Sequence, residues 1–125
     1  MANEMKWSPA EKAISRKAFD LALHREFEAV IQEVRNRAAG IKEPSDLWDL
    51  EEYLTRSRKM INNTYDYRYS MLPMVFTNLI FEGRLSLDEL NGLREDKLAD
   101  IRRGLSLAND WAARHNKRES EVPSA

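Results

Sequence analysis

The chain contains no cysteine among its 125 residues. That excludes disulfide staples, thiolate metal sites and a cysteine nucleophile. Histidine is nearly absent too, and two separated imidazoles, His24 and His115, do not make a metal site. No apolar run approaches the ~18 residues of a membrane span, and the mean hydropathy is −0.65. The opening stretch from Met1 to Lys6 lacks the apolar region of a signal peptide, so a cytoplasmic location is expected. An excess of one charge is also missing. Twenty basic against 21 acidic side chains give a net charge of −1, with no global pull toward nucleic acid or anionic membrane. There is no Ser-His-Asp set, no glycine-rich phosphate loop and no pair of evidently buried carboxylates. Neither catalysis, a metal nor a cofactor is expected. Glycine and proline number four each, so their positions act as punctuation: Pro9, Gly40 to Pro44, Pro73, Gly83 and Gly92 divide the chain into helical lengths.

What remains is one domain rich in helical periodicity. Apolar residues at 42% and charged residues at 33% describe a globular chain rather than a disordered one. Ser8-Pro9-Ala10-Glu11 is a capping box with proline at the first helical position, which predicts a helix from Pro9 to Ala39 closed by Gly40. Ile14, Ala18, Leu21, Ala22, Phe27, Val30, Ile31, Val34 and Ala38 keep helical spacing along it. Such a helix is a rod of roughly 46 Å, longer than a domain of this size is wide. A second helix is predicted to start near Ser45 or Asp46. Its seam, Leu47, Leu50, Leu54, Ser57, Ile61, Thr64, Arg68 and Leu72, steps by threes and fours up to a kink or break at Pro73. Met74 to Phe81 then forms an apolar helical piece ended by Gly83. Ser86-Leu87-Asp88-Glu89 caps a short amphipathic helix through Leu90, Leu93, Leu98 and Ile101, with Gly92 as its weak point. A further helix reaches about His115. No segment alternates with period two, so no sheet is predicted. The fold class is all-α: residues 1–118 form one helical domain and 119–125 a flexible tail. Two long rods cannot cover each other's apolar faces. A homodimer is therefore expected, with a stalk of two long helices and a small helical head after Pro73.

Three stretches carry a resemblance. The first is Asp46-Leu47-Trp48-Asp49-Leu50 with Tyr53-Leu54 and Arg58. The second is Tyr65-Asp66-Tyr67-Arg68-Tyr69-Ser70 with Val75-Phe76. The third is Leu79-Ile80-Phe81-Glu82-Gly83 with Leu90, Leu93, Lys97 and Ile101. With Trp7-Ser8 and Arg25-Glu26, they resemble the fluorescence recovery protein family over about residues 7 to 102. The resemblance implies an all-helical dimer without a cofactor. It also implies a partner, photoactivated orange carotenoid protein, held chiefly by its C-terminal domain. Family members speed that partner's red-to-orange return and help it leave the phycobilisome. Residue by residue, the resemblance places Trp48 and Arg58 at the dimer interface, with Glu52 where the family has the aspartate that pairs with the arginine. Leu50 and Leu54 of the seam complete that interface. Glu52 and Arg58 point about 240° apart on one helix, which suits a pair between two chains. Met74, Phe76, Lys97 and Asp100 fall on the implied partner-binding surface of the head. Glu51 stands where the family tends to have histidine, Met74 where an aromatic is common and Asp100 where a base is common. The segment from about Ser106 has no family counterpart. In a cyanobacterial setting the resemblance allows peripheral association with the thylakoid membrane, without integral insertion.

Other readings attach to the same residues. Glu52 could instead pair locally with Arg56. The tyrosines from Tyr65 to Tyr69 could stack on a ligand, but packing between helices with their hydroxyls at the edge is the expectation. A related helical dimer with a different protein partner is the first functional alternative. Nucleic-acid binding is the second, through Ser86 to Arg103 and the bases Arg102, Arg103, Arg114, Lys117 and Arg118. Asp88, Glu89, Glu95, Asp96 and Asp100 share that segment and oppose it.

Overall fold

The computed structural model describes residues 6–121, and no strand forms among them. The first helix, α1, runs Pro9–Ala39 as the sequence predicts. The Ser8 hydroxyl accepts the Glu11 amide at 3.1 Å, and the Glu11 carboxylate accepts the Ser8 amide at 3.0 Å. These bonds satisfy donors that a helix start otherwise leaves open. The second helix, α2, runs Pro44–Thr64 and departs from expectation at both ends. It begins on Pro44, which is tolerated in a first turn. Asp46 reaches back rather than capping forward, accepting the Lys42 and Glu43 amides at 2.9 and 3.0 Å. The helix stops well short of Leu72. After Thr64 the backbone leaves the helix, and the rings of Tyr65 and Tyr67 meet Phe19 edge-on at 5.5 and 4.9 Å. The aromatic packing, not Pro73, sets that end. Pro73 lies in the first turn of α3, Leu72–Phe81, and opens a helix instead of breaking one.

The short helix expected from Leu87 to Ile101 is divided. A 3-10 turn covers Leu87–Leu90, and α4 then runs Glu95–Glu121. Gly92 separates them at φ +106, a conformation that disfavours side chains, and a Cβ there would stand 2.5 Å from Ile14 Cδ1. Gly104 does not interrupt α4. Its lack of a side chain lets Thr77 of α3 approach, since a Cβ would meet Thr77 Cγ2 at 2.9 Å. The backbone of α4 stays helical to Glu121, into the segment expected to be a flexible tail, while residues 122–125 lie outside the described residues.

One core holds the head together. Phe19, Leu72, Val75, Phe76, Leu79, Leu85, Leu90, Leu93 and Ile101 are buried against Ala18 and Ala22 of α1. The small alanines let α1 lie close to α3. The buried stripe of α1 is Glu11, Ser15, Ala18, Ala22 and Glu26, which differs from the apolar face expected. Phe27 and Ile31 stay exposed. The first half of α1 thus belongs to the head. The second half packs on α2 and leaves an apolar strip open.

Candidate functional site

Two surfaces and one buried network are built from these elements. The stalk surface lies where α1 meets α2. Phe27 and Val30 of α1 with Leu54, Ser57, Arg58 and Ile61 of α2 line a cleft of ≈ 250 Å³. Trp48, 64% exposed, lies on α2, where Leu47 and Leu54 are also exposed. Leu50 is half-buried and faces a second cleft beside Arg37 and Gly40. Glu52 approaches Arg56 at 4.0 Å with both side chains about two-thirds exposed, so the local alternative exists as a loose contact. An exposed pair of this kind is worth little and does not tie Glu52 down. Single exposed apolar residues are ordinary; here exposed Phe27 and Leu54 border the cleft itself.

The head surface contains two of the four expected partner-binding residues. Met74 is 53% exposed on α3. Asp100 is partly exposed on α4 and accepts a 2.8 Å bond from Arg103, one turn on. The other two, Phe76 and Lys97, are not on the surface: both are 0% exposed. Phe76 fills the core between α3 and α4. Any effect of either residue on a partner must pass through the shape of the head.

Lys97 is the centre of the buried network. Its Nζ lies 3.0 Å from Glu11 Oε2 and donates to the Lys6 carbonyl at 2.6 Å. The ammonium stands over the Trp7 ring at 4.7 Å, and Trp7 packs on Tyr69 at 5.5 Å. The Glu11 carboxylate also accepts the Arg94 amide at 2.9 Å. Burial alone would push this carboxyl up. The Arg94 and Ser8 amides and Lys97 outweigh it and hold the pKa at about 2. Three segments distant in sequence are thereby clamped: the start of α1, the start of α4 and the approach to α3.

A second brace lies farther along α1. Arg25 makes a bidentate pair with Glu89 at 2.8 Å and donates to the Arg84 carbonyl at 3.0 Å. The Arg25 guanidinium and the Ser86 amide hold the Glu89 carboxyl at about 2. Buried Glu26 accepts the Tyr65 hydroxyl at 3.0 Å and faces Arg84 at 3.2 Å. Burial and the Glu26 charge push the Tyr65 phenol up. The tyrosines therefore pack between elements, as expected, but the Tyr65 hydroxyl is committed to a carboxylate rather than left at an edge. No group of three or more potential metal ligands comes together among the described residues.

The Glu11–Lys97 pair is absent from the sequence reading, which saw Glu11 only as a cap. One signal was available. Leu90, Leu93, Lys97 and Ile101 step by threes and fours, so Lys97 occupies a core position of an apolar stripe. A lysine there needs a buried counter-charge.

Comparison with known proteins meets the same architecture. Residues 7–105 match the family described as photoprotection regulator fluorescence recovery protein. The fluorescence recovery protein of Synechocystis sp. is 34% identical over 99 residues, which cover 79% of this chain and 91% of that one. The solved structure of the Fremyella diplosiphon fluorescence recovery protein superposes with a TM-score of 0.76 at 46% identity, covering 81% of this chain and 98% of the other. That of the Synechocystis protein gives 0.76 at 33% identity, over 79% and 97%. The chain belongs to the fluorescence recovery protein family.

Proposed function

We propose that this chain is a non-enzymatic regulator that binds photoactivated orange carotenoid protein and accelerates its red-to-orange return, ending quenching of the phycobilisome. The observation that carries this reading is the unbroken family match over residues 7–105, which spans stalk and head together. The action needs no bond chemistry. A protein that binds the compacting state, or the transition state toward it, better than the open state speeds the return by that difference alone.

The same reading makes the molecule a homodimer through its stalk. Exposed Phe27, Ile31, Leu47, Trp48 and Leu54 supply the apolar area, and Arg58 beside the cleft faces Glu52 of a second copy. Met74 and Asp100 belong to the partner-binding head, which Phe76 and Lys97 shape from inside. No helix of the described residues is long and apolar enough to cross a membrane, and the proposed setting is cytoplasmic, with peripheral association at thylakoids in a cyanobacterium. The test is direct. Photoactivated orange carotenoid protein is mixed with this chain in the dark and its absorbance followed. Faster recovery with added protein supports the reading, and an unchanged rate at large excess refutes it.

A further inference from the structure

Asparagine is a thermally labile residue, most of all before glycine, where the next backbone nitrogen is least hindered. Asn91-Gly92 is such a pair. Its place in the fold sets it apart from the other asparagines. Asn36 lies in α1, Asn62 and Asn63 in α2, Asn78 in α3, and Asn109 and Asn116 in α4. In a helix the following peptide cannot turn without breaking the backbone ladder. Alone among the described asparagines, Asn91 stands outside an α-helix, in the break between the 3-10 turn and α4. Asn91 and Gly92 are both exposed to water. Gly92 has no Cβ to shield its nitrogen, and its φ of +106 is a conformation that side chains disfavour.

We propose that Asn91 is a self-modifying site, whose conversion to aspartate and isoaspartate releases the start of α4 from α1. The Gly92 amide nitrogen, deprotonated by hydroxide, attacks Asn91 Cγ. The side-chain nitrogen leaves as ammonia, and a succinimide ring forms. Water then opens the ring. Attack at the side-chain carbonyl gives aspartate. Attack at the backbone carbonyl gives isoaspartate, in which the chain runs on through the side chain.

Two contacts tie this chemistry to the fold. Ile14 of α1 packs on Gly92, where a Cβ would stand 2.5 Å from Ile14 Cδ1. Just beyond, the Arg94 amide donates to the buried Glu11 carboxylate at 2.9 Å. Ring closure needs the Gly92 nitrogen to swing about the Asn91 Cα–C bond, away from ψ 133 and toward the side chain. Ile14 opposes that swing and so sets the pace. Isoaspartate adds a carbon to the backbone and a carboxylate charge immediately ahead of Arg94. The longer path carries the Arg94 amide off Glu11.

The test ages the full chain in warm, mildly alkaline buffer and maps it by mass spectrometry. Trypsin cleavage after Arg84 and Arg94 isolates Leu85 to Arg94, in which Asn91 is the one asparagine. That peptide should exchange NH for O in mass before the peptides that carry the helical asparagines. Protein isoaspartyl methyltransferase should then methylate it. Ile14→Ala, with helicity checked by circular dichroism, should react faster than the parent. Aged protein, separated by its added negative charge, should melt roughly 6–12 °C lower, as the loss of one hydrogen bond to a carboxylate predicts. Asn91→Gln, which would have to close a larger ring, should show neither the mass change nor the lower melting. If Asn91 reacts no earlier than the helical asparagines, the proposal is overturned. An Ile14→Ala rate equal to the parent's overturns the control by Ile14. Aged protein that melts with the unaged overturns the release of α4.

Discussion

Replacing Lys97 by methionine keeps the length of the side chain and deletes its charge. The site gives no access to water, with Lys97 0% and Glu11 2% exposed. The Glu11 carboxylate would keep the Ser8 and Arg94 amides but lose its counter-ion, and the Lys6 carbonyl would lose its 2.6 Å donor. Breaking a buried pair from one side costs on the order of 3–5 kcal/mol, because the remaining charge is stranded. Loss of the ammonium from the Trp7 face adds about 1 kcal/mol. At roughly 4 °C per kcal/mol for a chain of this length, Lys97→Met should lower the melting temperature by roughly 16–24 °C. The assay is thermal unfolding followed by circular dichroism at one fixed protein concentration, since an oligomer's midpoint depends on concentration. Combining Lys97→Met with Glu11→Gln should cost less than the sum of the two single changes. The acid limb gives an independent check. Glu11 titrates at about 2 instead of 4.5, so its contribution is complete above pH 4.5 and is lost as pH falls toward 2. Glu11→Gln should flatten that limb, leaving the loss of the same sign from Glu89. A Lys97→Met protein that melts within about 4 °C of the parent would refute the claim that this pair clamps the head.

Arg58→Glu should shift the proposed dimer toward monomer by setting like charges at the interface, and light scattering at micromolar concentration reads this against the 14.6 kDa chain mass. A variant that stays at twice that mass would remove Arg58 from the interface. Gly92→Ala should destabilise by about 2 kcal/mol, because the position has φ +106 and a Cβ would meet Ile14; chemical denaturation measures it, and an unchanged midpoint would refute it. Met74→Phe with Asp100→Lys should raise dark recovery at low regulator concentration by about tenfold, placing an aromatic and a cation on the proposed partner-binding head. If parent and double variant are both inert, the partner is a different protein.

Local signals were legible and distant ones were not. The start of α1 was readable because a serine, a proline and a glutamate within four residues specify it together. The end of α2 was not, because stepping by threes and fours continues past Thr64 into residues whose backbone has already left the helix. Only the contact of Tyr65 and Tyr67 with Phe19 explains that stop, and no spacing rule contains it. Asn91-Gly92 was recognised as a weak point but read as a flaw inside a helix. The approach of Ile14 makes it a required break. Of the surface residues named from the family pattern, Trp48, Met74 and Asp100 are accessible. Phe76 and Lys97 were misplaced because position in a family pattern does not distinguish a residue that touches a partner from one that shapes the surface.

The buried stripe of α1 ends near Glu26, and the open apolar strip begins at Phe27. From Glu11 to Ile31 the helix rises about 30 Å, beyond the range over which substitutions usually couple. One rod therefore carries two nearly independent sets of constraints. Directional bonds fix how the head docks, while shape and greasiness govern what the far half accepts. Changes at Phe27 or Ile31 should alter the proposed association without re-tuning the head, and repacking around Ser15 should alter the head without touching that association. A lineage could thus retarget one end of this helix while the other stayed fixed.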